Sequence, residues 1–355
     1  MEMTDGMSRR AAGRRGQAEH APGPRGLSAP GPAASRRGML PASAAAGLAL
    51  FGGAGCGTGG NPSGAGSGAG AGGGGRSSGK ASPSPRRTRR RPRLPRGGRE
   101  LFPRYRMVGY CGLPGAAALG RLGSGDPDER IRELEEKAQD FGDGRELMPV
   151  LELLATVANP TPGPDGEYRT RTPRKTVRRF HELARKHDAL LLLNVQPGRA
   201  AALDEVKALR EWLVRPDVGV ALDPEWDMGP GETPGETYGH TSGKELDEVA
   251  AYLADLVEEH DLPDKPLVFH QVSTSVVSDE DAIRPADGVP VVKCADGIGS
   301  PDLKRATWRR LVDDVPEGMH TGFKLFYEED TEGSRLMRPE EVLALRPAPE
   351  YVVYE

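Results

Sequence analysis

The chain has no run of 18 apolar residues, which excludes an ordinary spanning helix from the mature domain. Acidic residues are nearly missing from its first 99 positions, which hold 3 Asp/Glu against 17 Lys/Arg. The remaining 256 residues hold 49 Asp/Glu against 31 Lys/Arg, so a near-neutral total of −4 joins a basic tail of +14 to an acidic domain of −18. A domain of that charge repels a phosphate backbone, and no nucleic-acid partner is expected. No G-x-S-x-G elbow occurs, which argues against serine-hydrolase chemistry. His181-Glu182 does not open a zinc-protease helix, because Arg185 stands where the second histidine is required. No spacing motif supports a metal site, although His270, Asp223 and Glu225 could approach one another. No cofactor is expected. Of three cysteines, Cys111 and Cys294 end predicted strands one and six. Those strands are not neighbours in an eight-stranded barrel, so the pair is expected to remain two thiols.

What the tail does contain is an export pattern. Ser35-Arg-Arg-Gly-Met-Leu40 precedes a short apolar stretch from Leu40 to Phe51, and Gly53-Ala-Gly-Cys56 follows. Positive charge, an apolar region and small residues are the parts of a secretory signal. The paired arginines look like a twin-arginine signal. The small residues before Cys56 look like a lipoprotein cleavage site, with Gly53 where an aliphatic residue is usual. Residues 1–56 are therefore read as signal region, with lipidation of Cys56 tethering an exported chain to the outer face of the membrane. Residues 57–99 are read as a linker, Gly/Ser-rich and then Arg/Pro-rich. Its first half cannot bury enough apolar surface to fold. Its arginines could lie on anionic headgroups or wall polymers.

Residues 100–355 alternate apolar runs with helix-period segments. Arg106–Cys111, Leu147–Val157, Ala189–Val195, Val218–Leu222, Pro266–Gln271, Val289–Cys294, Thr321–Tyr327 and Tyr351–Tyr354 read as eight strands. Helices are expected over 126–140, 173–187, 200–214, 243–260 and 301–313, with Asp126, Thr172 and Ser300 as caps. The count of eight, on a length near 250 residues, selects a (β/α)8 TIM-type barrel over an open doubly wound sheet. The turn after strand one also lacks the glycine fingerprint of a dinucleotide site.

This domain resembles a group of uncharacterised exported proteins from high-GC Gram-positive bacteria. The resemblance is carried by Gly109-Tyr-Cys-Gly-Leu-Pro-Gly115, Gln196-Pro-Gly-Arg199, Ala221-Leu-Asp-Pro-Glu-Trp226, His270-Gln271 and Phe326-Tyr-Glu-Glu-Asp330. It implies secretion and a single domain, and nothing about mechanism.

A barrel keeps its chemistry at the C-terminal ends of its strands. Asp217-Val-Gly-Val-Ala-Leu-Asp-Pro-Glu-Trp226 is an apolar strand that ends in two carboxylates and an indole. Asp223 and Glu225, with Glu328 opposite and Glu152 within strand two, are the candidate catalytic carboxyls. Asn194, Gln196, Trp226, His270, Gln271, Asp296, Lys324 and Tyr327 are the candidate substrate contacts. Paired carboxyls flanked by aromatic faces are what glycosidic cleavage needs. Glu152 inside an apolar run requires a partner, and Lys293 or Lys324 could supply it. The expectation is thus a tethered, glycoside-hydrolase-like barrel acting on an envelope or extracellular polysaccharide. The alternative is a degenerate barrel that binds a glycan or wall polymer without cleaving it.

Overall fold

A computed structural model describes residues 91–355. The signal region, Cys56 and the glycine-rich half of the linker lie outside the described residues. Eight strands pair in parallel and in chain order: β1 Tyr105–Gly112, β2 Glu146–Ala158, β3 Leu190–Val195, β4 Val218–Leu222, β5 Leu267–Gln271, β6 Val291–Ala295, β7 His320–Leu325 and β8 Tyr351–Tyr354. Pairing of β1 with both β2 and β8 closes the sheet. The fold is a TIM-type barrel with helices between the strands, as the alternation predicts. Among the described residues, no helix is long and apolar enough to cross a membrane.

Alternation along each strand sorts side chains into two layers. Tyr105, Met107 and Cys111 of β1 point inward, with Val150, Leu192, Val268, Val292 and Val353 of other strands. Val108, Tyr110, Leu151, Leu193, Val220, Phe269 and Phe323 point outward under the helices. Three inward positions are glycines, Gly109, Gly219 and Gly322. A Cβ on Gly109 would stand 2.8 Å from the Tyr351 hydroxyl, and one on Gly322 would stand 3.1 Å from Cys294 Sγ. The missing side chain of Gly109 is the room in which the Tyr351 hydroxyl lies. Cys111 and Cys294 are both buried free thiols.

Helix boundaries follow the sequence closely, but not every cap does. Asp126 accepts from the backbone N–H of Asp128 and Glu129 at the start of α1, Pro127–Ala138. Before α2, Arg174–Lys186, Thr172 makes no such bond; its hydroxyl donates to the Leu154 carbonyl at 2.7 Å instead. The expected helix over 200–214 is broken at Leu209 into α3, Ala202–Ala208, and α4, Arg210–Leu213. The longest helix, α5 (Gly243–His260), starts from a reciprocal Ser242–Glu245 capping box. Ser300 makes no side-chain cap on α6, Pro301–Val312. Strand β7 stops at Leu325, so Tyr327 lies beyond it.

The N-terminal end of the barrel is closed. Residues 91–99 read by composition as the end of the linker, yet they pack beneath the strands. Leu94, Leu101 and Phe102 join the inward core, and the Tyr105 hydroxyl donates to the Arg96 and Gly97 carbonyls. Arg99 binds the Asp261 carboxylate and the Leu262 carbonyl after α5, and Arg96 donates to the Asp188 carbonyl before β3. A basic stretch is ordered here because carboxylates and helix-end carbonyls receive its arginines.

Candidate active site

At the other end, two turns hold each other. Where β4 ends, Pro224–Trp226 form a single 3-10 turn. The Asp223 N–H donates to the Val195 carbonyl, the Gly198 N–H to Trp226, and the Met228 N–H to Gly198. Gly198 is left-handed (φ 66°), and a Cβ there would stand 2.3 Å from the Glu167 carbonyl oxygen, so Gln196-Pro-Gly-Arg199 needs its glycine.

Asp223 continues the inward parity of β4. Its Oδ1 accepts from Asn194 Nδ2 and its Oδ2 from Gln196 Nε2, both at 3.0 Å. Glu225 is 8% exposed, and its Oε2 has no hydrogen-bond partner. Burial, then the charges of Asp223 and Asp296, pushes the Glu225 carboxyl well above the usual carboxylate range. Both effects favour its protonated form.

Deeper in the barrel lies a chain of ionic groups. Glu152 Oε1 accepts from His270 Nε2 at 2.9 Å and Asn194 Nδ2 at 3.0 Å, while Oε2 accepts from the Tyr351 hydroxyl at 2.7 Å. Burial opposes its ionisation, but His270, Lys324 and the Tyr351 hydroxyl outweigh burial and hold Glu152 at about 2. On the other side of the ring, His270 Nδ1 lies 3.3 Å from Asp296 Oδ2, a close charge pair without hydrogen-bond alignment. Lys324 Nζ donates to Asp296 at 2.9 Å and reaches Glu355 Oε2 at 2.6 Å. Burial disfavours charge on His270 and Lys324, yet the carboxylates around them raise both well above their usual values. Carboxylates and cations thus alternate from Glu152 to Glu355.

The structure brings together Glu152, Asn194, Gln196, Asp223, Glu225, His270, Asp296 and Lys324. Gln271, Lys293, Tyr327 and Glu328 lie elsewhere. Gln271 and Lys293 have outward parity, and both bind Glu280, at 2.9 and 2.6 Å. Lys293 is therefore not the partner of Glu152. Tyr327 stacks on Tyr354 outside the barrel, 5.1 Å between ring centroids, and its hydroxyl meets that of Tyr110. Glu328 is exposed at the head of a short 3-10 turn. Trp226 is half-buried on the turn that carries Glu225.

Three contributors were not anticipated. Tyr351 and Glu355 share the inward parity of β8, whereas Tyr354 points outward; counting from a glycine-facing position would have found them. Tyr238 is 48% exposed on the 227–240 loop. Burial and then the Glu225 and Asp296 carboxyls raise its pKa. The root of this loop is fixed by Asp227, whose carbonyl accepts from the His240 N–H. Burial and then the Glu245 carboxylate push the Asp227 carboxyl up to about 7.

Among the described residues, no group of three or more His, Cys, Asp or Glu is arranged to hold a metal ion. No protein-family model and no curated protein matches the chain. Among solved structures, it is similar to the dihydropteroate synthase of Xanthomonas albilineans with 4-aminobenzoic acid, at 16% identity and a TM-score of 0.30, over 75% of this chain and 93% of that one.

Proposed function

We propose that the chain is an exported, lipid-tethered barrel of the exported group it resembles, and that it hydrolyses glycosidic bonds of an envelope or extracellular polysaccharide by acid–base chemistry at the end of β4. One observation carries the reading. Glu225 is a buried carboxyl with a free oxygen, pushed toward its protonated form by burial, and it stands two residues from a carboxyl whose oxygens both already accept hydrogen bonds. Glycosidic cleavage needs an acid still protonated at working pH and a second carboxylate to meet the developing positive charge. Glu225 donates its proton to the leaving oxygen. Asp223, held by Asn194 and Gln196, faces the sugar carbon and either attacks it or activates water. Glu152, His270, Asp296 and Lys324 are positioning residues that hold Asn194 and the charge around Glu225. Tyr238 and Trp226 offer apolar faces to sugar rings. Export and the Cys56 tether are supported by the twin arginines and the small residues before that cysteine.

A second reading, a binding module without cleavage, is favoured by the mutual pairing of Glu152, His270, Asp296 and Lys324, which leaves few groups free to react. The full chain and its Glu225→Gln variant, incubated with a panel of wall glycans, separate the two. Reducing-end release by the parent alone establishes the hydrolase. A melting shift in both proteins with no release from any glycan overturns it in favour of the module.

A further inference from the structure

We propose that the mouth selects a substrate carrying a protonated amine, an amino sugar rather than its N-acetylated or hydroxyl counterpart, with the ammonium seated on Asn194 Oδ1 beside Asp223. The inference rests on reading the mouth as a glycan site, but not on cleavage.

The argument is a count of donors and acceptors. Asn194 is 1% exposed, and its Nδ2 donates to Glu152 and to Asp223. Both partners are carboxylates, so chemistry fixes the orientation of the amide. Its Oδ1 is then a buried acceptor, and it has no donor. Glu225 Oε2 is a second unpartnered oxygen, next to the same Asp223. Around them the carboxyls of Glu152, Asp223, Glu225, Asp296 and Glu355 outnumber the cations His270 and Lys324, and both cations are already engaged by carboxylates. Asn194 Oδ1 thus lacks a donor in a place where carboxyls outnumber cations. An ammonium supplies three donors, no acceptor and one positive charge. An N-acetyl group supplies one donor and turns a carbonyl toward the carboxylates. A hydroxyl supplies one donor without charge.

Isothermal calorimetry on the full chain tests this with the glucosamine tetramer, the N-acetylglucosamine tetramer, cellotetraose and tetralysine. The glucosamine tetramer is expected to bind at least tenfold tighter than the two neutral sugars at pH 6. The preference should collapse at pH 9, where the sugar amine is neutral. It should also fall at least tenfold in Asp223→Asn. If that variant does not fold, the pH arm decides. Equal or tighter binding of a neutral oligomer overturns the proposal. So does a preference that survives pH 9 or Asp223→Asn, equal binding of tetralysine, or no binding of the glucosamine tetramer. Release of neutral glycans without amine preference would overturn this inference and leave the hydrolase standing. Amine-dependent binding without release would do the reverse.

Discussion

Glu152 Oε1 accepts a hydrogen bond from His270 Nε2 at 2.9 Å, across a barrel in which two whole strands, β3 and β4, separate their own. Neither residue has an exposed side chain. The contact therefore ties opposite walls through the interior rather than along the hydrogen-bonded sheet. Replacing Glu152 by Gln keeps the shape and leaves the positive charge of His270 to Asp296 alone. Loss of one partner of a buried pair costs about 3–5 kcal/mol. A fall of that size in the urea unfolding free energy is expected at pH 7, and a fall below about 1 kcal/mol would show that the pair does not hold the walls.

The same pair sets an acid limit. Glu152 is held at about 2 in the folded state, against an ordinary value of 4.5. A depressed acid stabilises the fold above its unfolded pKa and loses that contribution as pH falls through the folded one. The contribution, on the order of 3 kcal/mol, is present at pH 5 and lost between pH 4.5 and about 2. Urea titrations at several acidic pH values should show this slope in the parent and a shallower one in Glu152→Gln.

Glu225→Gln separates chemistry from stability. The parent carboxyl is raised, so its proton is favoured by the folded state, and stability falls as pH rises from 4.5 toward the folded pKa. The amide cannot titrate. The variant is expected to match the parent within about 1 kcal/mol near pH 6, to be the more stable of the two at pH 9, and to release no glycan. A variant much less stable than the parent at both pH values would contradict the protonated carboxyl.

A third titrating group lies away from the mouth. Lys265 is buried, with Nζ donating to the Val218 and Arg215 carbonyls at 2.7 and 3.1 Å, and burial lowers its pKa to about 7 against the opposing Asp217. For a base with a depressed folded pKa, the unfolded chain binds more protons between about 7 and its ordinary 10.5. Stability attributable to Lys265 therefore rises with pH across that window. Comparison of parent and Lys265→Met melting temperatures at pH 7 and pH 9.5 should show a smaller rise in the variant.

Gly109→Ala tests the inward glycines. Its Cβ would press on the Tyr351 hydroxyl at 2.8 Å and displace the donor from Glu152 Oε2. Overpacking of this kind costs about 1–3 kcal/mol, and Tyr351→Phe, which only removes the donor, should cost less. A Gly109→Ala protein as stable as the parent would mean that Tyr351 has room to move.

The barrel was legible because eight apolar runs alternate with helical segments at a length suited to closure. Asp223, Asn194, His270 and Lys324 were legible because each sits at or near the end of such a run with inward parity. Tyr327, Gln271 and Lys293 were misplaced for the complementary reason. They lie near strand ends too, but one residue out of phase, and a one-residue change of phase turns a side chain to the other face. Glu280, which gathers Gln271 and Lys293, comes from a single 3-10 turn after β5, Glu280–Ala282, too short for a period to tell which way its side chains point. Tyr238 escaped notice likewise, on a Gly/Pro-rich loop whose path is set by backbone bonds to Glu225 and Asp227.

The closed end has a directional consequence. The chain enters the barrel at Arg91 through the plug of Leu94, Leu101 and Phe102, and the acidic mouth is at the opposite pole. Anything that holds the molecule through residues before Arg91 grips it by its blind end. The mouth lies at the pole opposite the point where those residues join.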